Sequence, residues 1–100
     1  MKREIKFRAW DDGKMLLPES NDNYGLGLFF GFLREDALIM QFTGLKDKNG
    51  VDIYEGDIIY LAGYGIYYVE FPFIELYEAS YEGDIGDIKG NIHENKDLLK

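Results

Sequence analysis

The sequence predicts a single small, mainly β domain: one strongly bent antiparallel sheet, or a partly open SH3-like barrel, with little helix. Three observations carry this expectation. Apolar and polar residues alternate with period two in several short runs, an Asn-Gly pair stands between apolar segments, and glycines interrupt runs that read as strands. A length of 100 residues fits one domain spanning 1–100, and 46% hydrophobic with 16% aromatic residues is ample for a packed core.

In "REIKFRAW", Ile5, Phe7 and Ala9 alternate with Lys6 and Arg8, which predicts a half-buried strand. "DDGK" at Asp11 to Lys14 follows as a turn, and "LPESNDNYG" from Leu17 to Gly25 reads as a polar loop. "LGLFFGFL" and "ALIMQF" read as two strands joined by the polar "REDA", with Gly25, Gly27 and Gly31 marking bulges or a bend. "DKNG" at Asp47 to Gly50 is the strongest turn signal in the chain. Then "DIIYLA", "GYG" and "IYYVEF" read as strand, turn and strand, with Tyr67, Val69 and Phe71 on one face and Ile66, Tyr68 and Glu70 on the other. "FIELYEASYE" at 73–82 reads as a strand, the competing helix placing Ile74, Tyr77 and Tyr81 in one stripe. A short strand around Ile92 and a helical turn capped by Asn95 close the chain.

Composition excludes several classes. Without cysteine there is neither a disulfide framework nor a thiolate zinc site, and nothing requires an oxidising compartment. The charged start "MKREIKFRAW" lacks the apolar run of a secretory signal, and Tyr24 to Leu33 is about half the ~20 residues a membrane helix needs. A cytoplasmic protein with no membrane span is the expectation. The net charge of −8 is uneven: residues 1–50 hold eight basic and eight acidic side chains, residues 51–100 three and eleven. Such a surface repels phosphate backbones and suits a basic partner, which it would meet by imitating one of those backbones.

The start "MKREIKFRAWDD..KM", the middle "MQFTGLKDKNGVDIYEGDII" and the end "GNIHENKDLL" resemble, in that order, the YopX family, small proteins carried mainly by phages and prophages of bacteria. Phe42 and His93 stand where the family more often has tyrosine. The resemblance implies a phage-derived, mainly β protein of the bacterial cytoplasm and brings no catalytic or ligand residue with it. Its motif residues, Thr43, Gly44, Leu45, Asp47, Asn49, Gly50, Ile53, Tyr54, Gly56 and Asp57, read as a corner that determines the fold.

Motifs for chemistry fail on spacing. Aligning Gly50 with the glycine of an EF-hand loop puts Leu45 and Gly56 where two ligand oxygens belong, so no metal site is assigned. "GLGLFFG" reads G-x-G-x-x-x-G with no helix predicted after it, which excludes a dinucleotide fingerprint, and no cofactor is expected. Any hydroxyl nucleophile, from Ser20, Ser80 or Thr43, would depend on the one histidine, His93. The pairs Asp84 with Asp87 and Glu55 with Asp57 are what nineteen acids yield by chance. No catalytic residue is assigned and no enzyme is expected.

The expectation is therefore a protein–protein interaction module. Tyr60, Tyr64, Tyr67 and Tyr68 cluster beside Glu70, Glu75 and Glu78, and tyrosine serves both sheet packing and interfaces. Tyr60, Tyr64, Tyr68 and Glu70 are the candidate partner-binding residues, the partner being a basic host or phage protein. The alternative is a nucleic-acid module in which Lys2, Arg3, Lys6 and Arg8 form a stripe beside Trp10. The apolar "GLGLFF" and tyrosine-rich runs also predict a homo-oligomer.

Overall fold

The computed structural model describes residues 4–99. The chain falls into two compact units that divide between Phe42 and Thr43. The fold is mainly β, with antiparallel strand pairing and two α-helices.

In the first unit, β1 (Phe7–Asp11) pairs antiparallel with β2 (Lys14–Leu16) and with the opening residues of β3 (Leu38–Lys46). The β1–β2 turn is Asp12-Gly13 with φ of 52° and 74°, the doubly positive geometry whose twist suits a two-residue hairpin. Asp11 is buried, and its Oδ2 accepts the Arg34 N–H at 3.2 Å.

Between these strands the expected first strand of a hairpin is instead α1 (Asn23–Phe32). Asp22 caps it: its Oδ1 accepts the Gly25 N–H at 2.7 Å and the Ser20 hydroxyl at 3.1 Å. These two donors, the Gly25 amide first, hold the Asp22 carboxyl below its usual range. The glycines that read as strand bulges are helical, and one has a steric reason. A Cβ on Gly25 would run into the Ser20 hydroxyl and lie 2.5 Å from its carbonyl oxygen. Period-two alternation loses here because the covered residues, Gly25, Leu26, Phe29 and Leu33, recur with helical spacing.

The second unit contains the rest of β3, β4 (Asp52–Tyr54), β5 (Asp57–Leu61), β6 (Gly65–Tyr68), α2 (Ile74–Glu82) and β7 (Ile85–Asn91). β5 lies between β6 and β7, and register shifts on the β7 side bend that pairing. Its core is Ile53, Ile59, Leu61, Tyr67, Val69, Phe73, Leu76 and Ala79, with Leu45, Ile85 and Ile88 packed against it.

The strand expected at 73–82 is α2, and the stripe that a helix was expected to bury is not the one buried. Phe73, Leu76 and Ala79 face the core, while Ile74, Tyr77 and Tyr81 lie on the exposed side. Phe73 sits in the left-handed region at φ 68°, and Gly83 ends the helix at φ 77°, its N–H returning to the Ala79 and Ser80 carbonyls. At the end of the chain Asn95 does not cap with its side chain. Its Oδ1 accepts the Asn91 N–H at 3.1 Å, and a short 3-10 turn follows at Lys96–Leu99.

This arrangement gives α2 a clear test. Leu76 is 0% exposed and Tyr81 91%. Leu76→Ala should cost about 2–5 kcal/mol and Tyr81→Ala no more than about 0.5, read by urea unfolding. Comparable losses at both positions would contradict the helix orientation.

Candidate functional site

In the motif from Thr43 to Asp57, the side chains of Thr43, Asp47 and Asp57 bond main chain. Fully buried Thr43 donates its hydroxyl to the Ile53 carbonyl at 2.7 Å and accepts the Leu45 N–H at 3.2 Å. Asp47 Oδ1 accepts the N–H groups of Asn49 (2.8 Å) and Val51 (2.9 Å), closing a turn in which Gly50 has φ 82°. Its Oδ2 accepts the Ile88 N–H of β7 at 3.1 Å. Burial raises the Asp47 pKa, but the Val51, Ile88 and Asn49 amides outweigh it and hold the group below its ordinary 3.8. Asp57 Oδ2 accepts the Tyr54 N–H at 2.8 Å. Gly56, at φ 90°, donates its N–H to Val69 and accepts that of Ile92, both at 2.8 Å. Gly44 and Asn49 are exposed in this corner, and Leu45, Ile53 and Tyr54 turn inward.

The four candidate partner-binding residues separate onto two faces. In the β5–β6 register Ile58 opposes Tyr68 and Tyr60 opposes Ile66, so Tyr60 and Tyr68 share the face opposite to Ile59, Leu61 and Tyr67, a face on which Ile58 is fully buried. Tyr60 lies over Gly86, where an added Cβ would meet the Tyr60 carbonyl oxygen at 2.7 Å. Burial, then the Glu70 and Glu55 charges, push the Tyr68 hydroxyl above its ordinary pKa, so Glu70 belongs electrostatically with this face.

Tyr64 stands apart from them, exposed in the β5–β6 turn. Its ring meets that of Tyr67 edge-on, with centroids 5.5 Å apart at 84°. The Tyr67 hydroxyl donates to Glu75 Oε2 at 3.3 Å. Burial first, then the Glu75 charge and that hydrogen bond, push the Tyr67 pKa up to about 12.

Tyr64 opens onto a groove of about 430 Å³ between the β5–β6 turn and α2. Its charged lining is entirely acidic: Glu75, Glu78 and Glu82 at helical spacing, and Asp84 beyond Gly83. Glu82 and Asp84 are the members that the sequence reading left out of the site. Reading 73–82 as a strand scatters the three glutamates over two faces, and only the helix aligns them. The alignment is locally unfavourable, since Glu78 and Glu82 are like charges four residues apart and Glu82 sits in the last helical turn.

The basic stripe expected on the first strand is occupied by local contacts. Lys6 pairs with Glu4 at 3.7 Å and stands 4.3 Å over the Phe42 ring, and Arg8 and Trp10 are half-buried. Lys2 and Arg3 lie outside the described residues. Among the described residues no three His, Asp or Glu side chains are placed to hold a metal ion. No described helix is long and apolar enough to cross a membrane.

A family model described as YopX protein matches residues 17–100. The chain belongs to the YopX family. The match starts beyond the N-terminal strand, so "MKREIKFRAWDD" lies outside it. This YopX-family chain is also similar to the crystal structure of protein EF1440 from Enterococcus faecalis, with 31% identity over 99% of this chain and 100% of that one, at a TM-score of 0.59. No curated protein matches it.

The buried carboxylate gives this YopX-family chain a pH signature. Because the folded pKa of Asp47 is depressed, its contribution is complete above the ordinary value of 3.8 and is lost as pH falls through the folded value. Asp47→Asn should cost about 1–3 kcal/mol near neutral pH, since an amide NH₂ cannot accept a main-chain N–H. The gap to wild type should close in acid. Chemical denaturation across pH checks this, and a gap independent of pH would contradict it.

Proposed function

We propose that this YopX-family chain is a non-enzymatic protein–protein interaction module, phage- or prophage-encoded and acting in the cytoplasm of a bacterial host. It takes a basic segment of a host or phage protein into the acidic groove beside α2, with Tyr64 as the aromatic contact. The observation that carries this reading is the one-signed lining of that groove, four carboxylates and a tyrosine with no cation among them.

Two physical arguments support it. Aligned carboxylates raise one another's cost, and a cationic partner removes that cost on binding. A tyrosine at the mouth offers contact area with little rotamer entropy to lose. The excess of acids in residues 51–100 would steer such a partner toward this half of the chain. Carriage by phages is what the family resemblance supports.

A fluorescent arginine-rich peptide serves as the probe. Glu78→Gln with Glu82→Gln should weaken its binding roughly fivefold or more at low salt. Glu19→Gln with Glu35→Gln removes the same net charge elsewhere and should change it by less than about twofold. High salt should abolish the difference. Equal losses from both pairs would reduce the groove to net charge alone, and no binding at low salt would end the proposal.

A further inference from the structure

The first unit carries a surface that the acidic groove does not use. From Asn23 to Phe32, α1 has no charged side chain, in a chain where 30% of residues are charged. Tyr24 is 72% and Phe32 84% exposed, and Leu17 and Leu28 stand half to two-thirds exposed beside them. On the helix Tyr24, Leu28 and Phe32 are spaced i, i+4, i+8 and form one ridge. The ridge itself forms one wall of a cleft of about 310 Å³, whose other lining includes Leu17, Phe29 and the charged Glu19.

We infer that this face is where two copies of the chain pair about a two-fold axis, the α1 ridge of each entering the cleft of the other. Three observations select a second copy as the occupant. First, ridge and cleft lie on one patch, which is what an isologous contact requires, and a cavity of about 150 Å³ already holds a benzene ring. Second, copies carrying a net charge of −8 repel, so they meet at least cost where charge is sparse, and here α1 carries none and Glu19 is the single charged residue lining the cleft. Third, at about 200 Å² for a whole aromatic side chain, the four residues expose roughly 500 Å². That is the upper end for a monomer's apolar patch and most of the ~800 Å² that each partner buries in a standard interface.

Light scattering after size exclusion, at tens of micromolar protein and over a range of salt, tests the pairing. Wild type should run at twice the chain mass, more completely as salt screens the repulsion. Phe32→Glu places a carboxylate in the apolar contact twice over and should weaken the dimer roughly tenfold or more, with circular dichroism unchanged because the side chain is exposed. Tyr24→Lys places an ammonium in the apolar contact at the other end of the ridge and stands in if Phe32→Glu does not fold. Tyr81→Glu, on the exposed face of α2, should leave the mass at that of a dimer. A monomer mass for wild type, a trimer or larger mass, or a dimer that survives both α1 substitutions would each overturn the inference.

Discussion

Three main-chain N–H groups, those of Asn49, Val51 and Ile88, converge on the carboxylate of Asp47, and the second unit depends on that convergence. Burying a carboxylate is costly unless its oxygens are satisfied. Here two amides come from the turn that follows Asp47 and the third from β7, 41 residues away in sequence. One group therefore sets the turn and ties it to β7. That position brings Ile85 and Ile88 against Ile59 and Leu61, and the same core holds Phe73, Leu76 and Ala79 of α2. Tyr77 adds a polar tie, its hydroxyl donating to the Thr43 carbonyl at 2.7 Å.

The acidic groove follows from how α2 is seated. With Phe73, Leu76 and Ala79 turned inward, helical geometry leaves Glu75, Glu78 and Glu82 on a neighbouring face. The glutamates and the tail of the β5–β6 turn thereby share one concavity. Stability alone does not favour that choice, because like charges at helical spacing and an acid in the last turn each cost a few tenths of a kcal/mol. Local rules broken at one face of an otherwise consistent element mark that face as serving something besides folding.

Much of this fold was legible in the sequence wherever alternation and turn chemistry agreed. Asp12-Gly13, the turn after Asp47 and the Gly63 to Gly65 turn all lie between runs with period two, and the strands around them follow. The two helices were not legible, for different reasons. α1 holds three glycines and no charge, so its composition argues for a strand, and its start signal is Asp22 inside a polar loop. α2 offers two competing stripes, and in the more apolar-looking one Ile74 and Tyr81 face outward while Tyr77 lies partly exposed against Phe73. The tyrosines of the candidate site could be read from the sequence as a cluster. Their division between Tyr60 with Tyr68 and Tyr64 with Tyr67 depends on strand register, and the joining of Glu82 and Asp84 to the groove depends on α2 being a helix.

The Asp47 carboxylate is ionised and held by amides from both the turn and β7. Carboxyl carbon and amide proton shifts, followed together by NMR through an acid titration, test it most directly. Asp47 should titrate below 3.8, and the Asn49, Val51 and Ile88 amide protons should move with the same midpoint as they lose a charged acceptor. Titration of Asp47 at or above 3.8, with the Ile88 amide unmoved, would contradict it.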